Sequence, residues 1–160
     1  MRPIGVMLVL GLLAVGAAAA QSEEPAAAQS PAPTIEGLWL DEKGEGRIEV
    51  APCGEHLCGT IVWLLEPFDD DGRETRDTEN ADPALRERKV LGLRVLEGVN
   101  PKPDKKGYWR GGRIYDPDNG KTYRCTLSLD EQGNMKLRGF IGISLIGRNS
   151  FWTRVTETEP

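Results

Sequence analysis

Along Lys121–Leu129 the character of the side chain switches at every step. Tyr123, Cys125, Leu127 and Leu129 fall on one side, and Thr122, Arg124, Thr126 and Ser128 on the other. Successive side chains of an extended strand point to opposite faces, so this run predicts a strand with one buried and one solvated face. The same grammar continues around it. Residues 109–115 read as a strand leading into Asp116-Pro117-Asp118-Asn119-Gly120, and Asp130-Glu131-Gln132-Gly133-Asn134 turns the chain again before residues 135–140. Both five-residue runs carry the residues that tight turns demand. Residues 151–155 end the fold.

Upstream, residues 35–40 open the domain, and residues 47–50 alternate with Ile48 and Val50 inward. Residues 60–64 are apolar on both faces, which predicts a central or covered strand, and residues 91–99 read as another. Residues 68–81 form a long acidic loop, after which Asp82 caps a short helical turn that has Pro83 at its first position. Seven or eight strands with short polar turns and almost no helix predict an all-β antiparallel sandwich or barrel. Gly92, Gly111, Gly112, Gly139 and Gly142 lie inside strand-like runs. Glycines there mark bulges and bends, which a closing sheet needs. The expected fold is therefore a small antiparallel β-barrel of roughly eight strands with one short helical turn.

The barrel is expected over residues 35–156, followed by a tail at 157–160. Residues 1–20 read as a signal peptide: Arg2 precedes an apolar run over 4–15, and Ala18 and Ala20 hold the small positions of a cleavage site before Gln21. The apolar run is shorter than the ~20 residues a spanning helix needs. No cysteine follows the small residues, which argues against a lipid-modified terminus. The expected location is periplasmic or secreted, with no membrane span after cleavage. Residues 21–34, rich in Ala, Pro, Ser, Gln and Glu, lack hydrophobic periodicity and read as a disordered leader.

Charge narrows the partners. The chain has 20 Lys and Arg against 25 Asp and Glu, a net charge of −5. Cleavage removes one arginine and no acid, leaving about −6. An acidic chain with scattered cations argues against a nucleic-acid partner and against docking on anionic lipid.

Three cysteines, Cys53, Cys58 and Cys125, leave three pairings with one thiol over. Cys53 and Cys58 flank a tight loop between two strand-like runs, where cross-strand Cβ atoms come within ~4.5–5.5 Å, so a local bridge that pins the hairpin is expected. Cys125 shares the inward face of its strand and reads as a buried, inert thiol.

Gly37-Leu38-Trp39 near the start and Trp152-Thr153-Arg154 at the end resemble the lipocalin or calycin signature. There a G-x-W on the first strand closes the barrel floor and an arginine of the last strand covers the tryptophan. The resemblance implies structural roles for Gly37, Trp39 and Arg154. The whole segment 37–154 resembles the bacterial secreted family catalogued as domain of unknown function 2147. The matching pieces are Ala51-Pro52-Cys53-Gly54, Leu57-Cys58-Gly59 and Asn80-Ala81-Asp82-Pro83-Ala84-Leu85-Arg86, then Gly111-Gly112-Arg113-Ile114-Tyr115-Asp116-Pro117, Gly120-Lys121-Thr122-Tyr123 and Arg138-Gly139-Phe140-Ile141-Gly142-Ile143-Ser144-Leu145. That resemblance implies a periplasmic or secreted lipocalin-like barrel of Gram-negative bacteria and no agreed activity.

Catalytic sets are hard to assemble. His56 is the only histidine, and a triad with Ser144 or Ser150 would lack the G-x-S-x-G elbow. A zinc site wants several His or Cys ligands. Asp69-Asp70-Asp71-Gly72 lacks the alternating acids of a calcium loop and reads as a solvated turn. A paired-carboxylate glycosidase would find little cleft in a domain of this size. No catalytic residue, metal or cofactor is expected. Small barrels hold small apolar ligands, and the expected lining here is Trp63, Tyr115 and Tyr123, with Arg113 meeting an anionic head group at the mouth. Arg138 and Arg148 are further candidates for that mouth. The leading expectation is a non-enzymatic binder of a small lipophilic or amphipathic molecule. The alternative is an envelope interaction or structural module whose aromatics fill the barrel, and a small hydrolase comes last.

Overall fold

The structure is a computed structural model that describes residues 32–143 and 145–156. Residues 1–31, which include the expected signal peptide and part of the expected leader, Ser144 and residues 157–160 lie outside the described residues. Eight strands follow one another: β1 (Gly37–Leu40), β2 (Gly46–Cys53), β3 (His56–Leu64), β4 (Arg94–Val99), β5 (Arg113–Asp116), β6 (Lys121–Leu129), β7 (Met135–Phe140) and β8 (Gly147–Arg154). Each is antiparallel to the one before, and β8 returns to β1, so the sheet closes. A 3-10 turn, Pro83–Leu85, sits in the long β3–β4 connection, with the Asp82 carboxylate accepting from the Ala84 N–H as its N-cap.

Turn chemistry explains the hairpins. Between β5 and β6 the Asp116 carboxylate accepts from the Asp118 N–H and from Asn119 Nδ2. Gly120 (φ +67°) then returns the chain, and a Cβ there would lie 1.8 Å from the Glu79 carbonyl oxygen. Between β6 and β7 the Asp130 carboxylate accepts from the N–H groups of Gln132 and Asn134. Such Asx turns fix loop length and, with it, register. The Cys53–Cys58 disulfide pins the β2–β3 hairpin across a Cα–Cα distance of 5.8 Å. Its cysteines sit diagonally, since Cys53 pairs with His56 and Cys58 with Ala51.

Several features differ from the sequence reading. β4 begins at Arg94, because residues 91–93 turn on hydrogen bonds from Leu93 N–H to Val90 and from Gly92 N–H to Ile61. Trp109 makes only an isolated bridge to Leu127, and β5 begins at Arg113 after the Gly111-Gly112 bend. Residues 60–64 are not covered on both faces, since Val62 is 43 % exposed. The register of β2 and β3 shifts between Arg47 and Ile48. Val62 faces outward by alternation with buried Ile61, and the irregularity leaves Trp63 on the outer side as well, opposite Arg47.

The barrel interior is filled. Trp39, Leu96, Val99, Leu127 and Met135 have no exposed surface. Ile48, Val50, Leu57, Ile61, Leu137 and Trp152 pack with them into one cluster. Burying each such side chain stabilises the fold by ~1.5–3 kcal/mol, which makes this interior the main source of stability. The loop of residues 65–93 is held to the outside of β5 by Asp77, which is 1 % exposed. Its carboxylate accepts from the Tyr115 hydroxyl (2.6 Å), Arg88 Nε (2.7 Å) and Asn80 Nδ2 (2.8 Å).

Candidate functional site

One end of the barrel is closed by a clasp. Trp39 Nε1 donates to the Ile35 carbonyl (2.8 Å). The Arg154 guanidinium lies over the Trp39 ring, 4.2 Å from its centroid, and donates to the carbonyls of Glu36 (2.8 Å) and Thr34 (2.6 Å). Gly37 has φ +125°, and a Cβ on it would stand 2.8 Å from Arg154 Nη1. Three residues therefore tie the first strand to the last, where two register pairs, Trp39–Arg154 and Leu40–Thr153, and the Val155 N–H donating to the Leu38 carbonyl complete the seam.

Cys125 is a free thiol facing the interior, 2 % exposed, and burial pushes its pKa up to about 12. The thiolate is the reactive form. We expect iodoacetamide to leave Cys125 unmodified at neutral pH in the folded protein and to label it once urea unfolds the chain. Stoichiometric labelling in the native state, read by mass spectrometry, would contradict this burial.

A hollow of about 670 Å³ lies elsewhere, over the seam between β4 and β5. That seam holds only two register pairs, Leu96–Ile114 and Glu97–Arg113. Past it Gly98 and Gly111 bend the chain, and a Cβ at Gly111 would come within 3.0 Å of the Gly98 carbonyl. The charged and aromatic lining comes from His56, Arg110, Arg113, Arg124 and Phe140, beside Thr126. Register decides which face this is. Leu96, Ile114 and Tyr123 form one cross-strand row, and Glu97, Arg113, Arg124 and Phe140 the next. Leu96 is fully buried whereas Arg113 and Arg124 are exposed, so the second row is the outside of the barrel wall. A smaller hollow of about 300 Å³ continues along the outer face of β6 and β7 through Thr126 to Ser128, Lys136 and Arg138.

The electrostatics of the larger hollow are distinct. Arg110 is paired with Asp104 (2.6 Å). Its hydrogen bond, with those of the Tyr108 and Lys106 N–H groups, lowers the Asp104 carboxyl to about 2, so the pair persists down to strongly acidic pH. Arg113 and Arg124 stand directly opposite each other across β5 and β6. Among the described residues neither forms an ion pair with an acid; Glu97, the register neighbour of Arg113, forms none with it. Arg124 instead lies over the Phe140 ring, 5.7 Å from the centroid. Like charges directly opposite on a sheet are destabilising. An anion between the two guanidiniums would relieve that repulsion and accept their forked hydrogen bonds.

The structure does not gather the residues expected to line a cavity. Arg113 lines the outer hollow. Trp63 stands beside Arg47, whose guanidinium lies 4.7 Å over its ring. Tyr115 lies on the outer face under the long loop, with Arg88 over its ring and its hydroxyl bonded to Asp77. Tyr123 shares the inward row with Ile114, and its hydroxyl accepts from Asn119 Nδ2 (3.2 Å). The three rings occupy three separate settings. Sequence reasoning missed His56, Arg124 and Phe140 as lining. The Asp116–Gly120 turn holds the signal for one of them: with Asp116 opposite Lys121, Arg113 must oppose Arg124. Arg148 opposes Gly139, and Arg138 lines the smaller hollow. Among the described residues no group of three His, Cys, Asp or Glu could hold a metal ion, and no helix is long and apolar enough to cross a membrane.

An eight-stranded up-and-down barrel whose first-strand tryptophan is covered by a last-strand arginine has lipocalin-like architecture. A solved structure of this kind is similar in fold: protein HP1028 from the human pathogen Helicobacter pylori, described as belonging to the lipocalin family. It aligns with a TM-score of 0.63 at 19 % identity, over 77 % of this chain and 84 % of that one. Residues 37–154 match the family of uncharacterized proteins conserved in bacteria, DUF2147, and the chain belongs to that family. No functionally curated protein matches it.

Proposed function

We propose that this protein binds a small anionic amphiphile without transforming it, and that the site is the outer hollow over the β4–β5 seam rather than the barrel interior. The observation that carries this reading is the opposed pair Arg113 and Arg124 beside the Phe140 ring. The guanidiniums offer a head-group site and the ring an apolar flank, the mixture that small-ligand sites use. A lipocalin-like fold supports small-ligand binding in general. The filled interior favours a second reading, an envelope interaction module with its partner on the outer wall, in which the same hollow is part of a larger interface. We also propose export to the periplasm or medium. Residues 2–20 support it, and N-terminal sequencing of the protein recovered from those fractions should begin at Gln21.

Calorimetric titration with dodecyl phosphate below its micellar concentration tests the binding reading. Wild type is expected to bind it in preference to dodecanol or dodecyltrimethylammonium. The Arg113→Glu variant is expected to lose roughly tenfold or more in affinity, since a hydrogen bond to a charged group contributes about 1.5–3 kcal/mol. Equal affinity for the three amphiphiles, or unchanged affinity in Arg113→Glu, would sink the reading.

A further inference from the structure

The smaller hollow lies on the same outer wall as the larger one and joins it at Thr126, which lines both. Register lays out its floor. Thr126 stands opposite Arg138, and Arg138 opposite Asn149. One row on, Ser128 stands opposite Lys136, and Lys136 opposite Phe151. The isolated bridge between Trp109 and Leu127 brings Tyr108 to the margin. Arg138 donates through Nη1 to Asn149 Oδ1 (3.0 Å) and through Nη2 to the Leu145 carbonyl (3.2 Å), which holds its guanidinium against the wall. Lys136 Nζ lies 5.7 Å from the centroid of the Phe151 ring.

Elsewhere cations meet acids, as Lys43 does with Asp118, Arg88 with Asp77 and Lys89 with Glu74. Opposite charges across a sheet stabilise it, and the chain has 25 acids for 20 Lys and Arg. The strands β6, β7 and β8 nevertheless contain no Asp or Glu. The four cross-strand neighbours of Arg138 and Lys136 are Thr126, Asn149, Ser128 and Phe151. Lys136 forms no ion pair with an acid among the described residues. Acids do stand at the margins of this wall. Glu97 lies beyond Arg113, and Glu131 is exposed in the β6–β7 turn. Asp104 is taken by Arg110, and both Asp130 oxygens accept from Gln132 or Asn134. The middle of the wall is thus cationic at two places, the Arg113–Arg124 pair and Lys136 beside Arg138. Thr126 and the Phe140 ring lie between them.

We propose that the two hollows are subsites for one ligand that carries two anionic groups joined by an apolar spacer. The first group sits between Arg113 and Arg124, the spacer passes Phe140 and Thr126, and the second group meets Lys136 and the Ser128 hydroxyl beside Arg138. Strands lie about 4.8 Å apart and rise about 6.8 Å for every two residues, which puts the two anion positions roughly 12 Å apart. This inference rests on the small-ligand reading and adds the second charged group to it.

Calorimetric titration with hexyl phosphate, hexane-1,6-diyl bisphosphate and ethane-1,2-diyl bisphosphate tests it. The six-carbon bisphosphate reaches both positions, and the two-carbon compound is too short. Wild type is expected to bind the six-carbon bisphosphate at least about tenfold more tightly than hexyl phosphate, the effect of one added hydrogen bond between charged groups. The two-carbon compound should gain little. In Lys136→Gln, and in Ser128→Asp, which sets an acid opposite Lys136, the six-carbon compound should bind no more tightly than hexyl phosphate does. Neither side chain belongs to the core cluster, so both variants should keep the wild-type circular dichroism. Equal affinity for hexyl phosphate and the six-carbon bisphosphate, the same gain from both bisphosphates, or a gain that survives Lys136→Gln would overturn the proposal. Dodecyl phosphate binding that Arg113→Glu weakens keeps the small-ligand reading in place in each of those cases. No binding of dodecyl phosphate removes that reading and this inference together.

Discussion

Trp39→Ala is expected to lower unfolding free energy by about 3–5 kcal/mol, the range for removing a fully buried large aromatic side chain. The urea midpoint should shift with little change in slope. The ring has no exposed surface and sits where two register pairs join β1 to β8. Its loss removes core volume and also leaves the Arg154 guanidinium without the face it covers. Arg154→Ala should cost about 1–2 kcal/mol, from the cation–π contact and the two charge-assisted bonds to backbone carbonyls. The two losses should not add, and a double-mutant cycle should show coupling of about 1 kcal/mol. Gly37→Ala separates strain from collision. The wild-type background carries both the positive φ and the 2.8 Å approach to Arg154 Nη1, whereas an Arg154→Ala background carries only the first. If Trp39→Ala shifted stability by less than about 1 kcal/mol, the clasp would not be what closes the barrel.

Asp77→Ala should cost about 2–4 kcal/mol, because it strips a buried carboxylate from three donors at once. The lower part of the range reflects Arg88, whose side chain is 34 % exposed and can turn toward water. The effect should concentrate in the long loop. Amide exchange across residues 65–93 should accelerate more than exchange in β6, which packs in the core. Uniform acceleration would mean that Asp77 supports the whole barrel rather than the loop. Alkaline pH acts on the same cluster. Burial first, then the hydrogen bond to Asp77 and its charge, raise the Tyr115 phenol above its ordinary value of 10.0. A raised folded value means that the stability is fully present below pH 10 and is lost as pH climbs through the folded value. Cys125 behaves alike between 9.0 and about 12. Tyr115→Phe should therefore flatten part of the alkaline decline, and Cys125→Ala another part.

Much of this architecture is legible in the chain because it is local. Alternation over Lys121–Leu129 reports which side is buried, and the Asx turns at Asp116 and Asp130 set how the flanking strands align. The N-cap at Asp82 and the Cys53–Cys58 bridge are likewise short-range features. The lining of the hollow is less legible. Trp63 was expected inside, but the shift between Arg47 and Ile48 sets it beside Arg47. A one-residue slip flips a side chain to the other face, and no composition rule forecasts where an irregularity falls. Tyr115 and Tyr123 both belong to strands with correct alternation, yet Tyr115 shares its face with Arg113 and Tyr123 with Ile114. Their separation into outer and inner settings follows only once β5 and β6 are paired.

The amino-acid sequence by itself determined the closed antiparallel barrel, its hairpin bridge and the residues of its clasp. Periodicity, turn chemistry and paired end motifs are carried by neighbours along the chain. Only the tertiary structure decided where binding chemistry can sit. The interior is occupied by Trp39, Leu127, Met135 and their neighbours, and a hollow forms outside, where Gly98 and Gly111 let the two backbones approach closely past the short β4–β5 seam and Arg113, Arg124, Phe140 and His56 line one surface. These residues belong to four different strands, and the pairing of β3 through β7 brings them to one place.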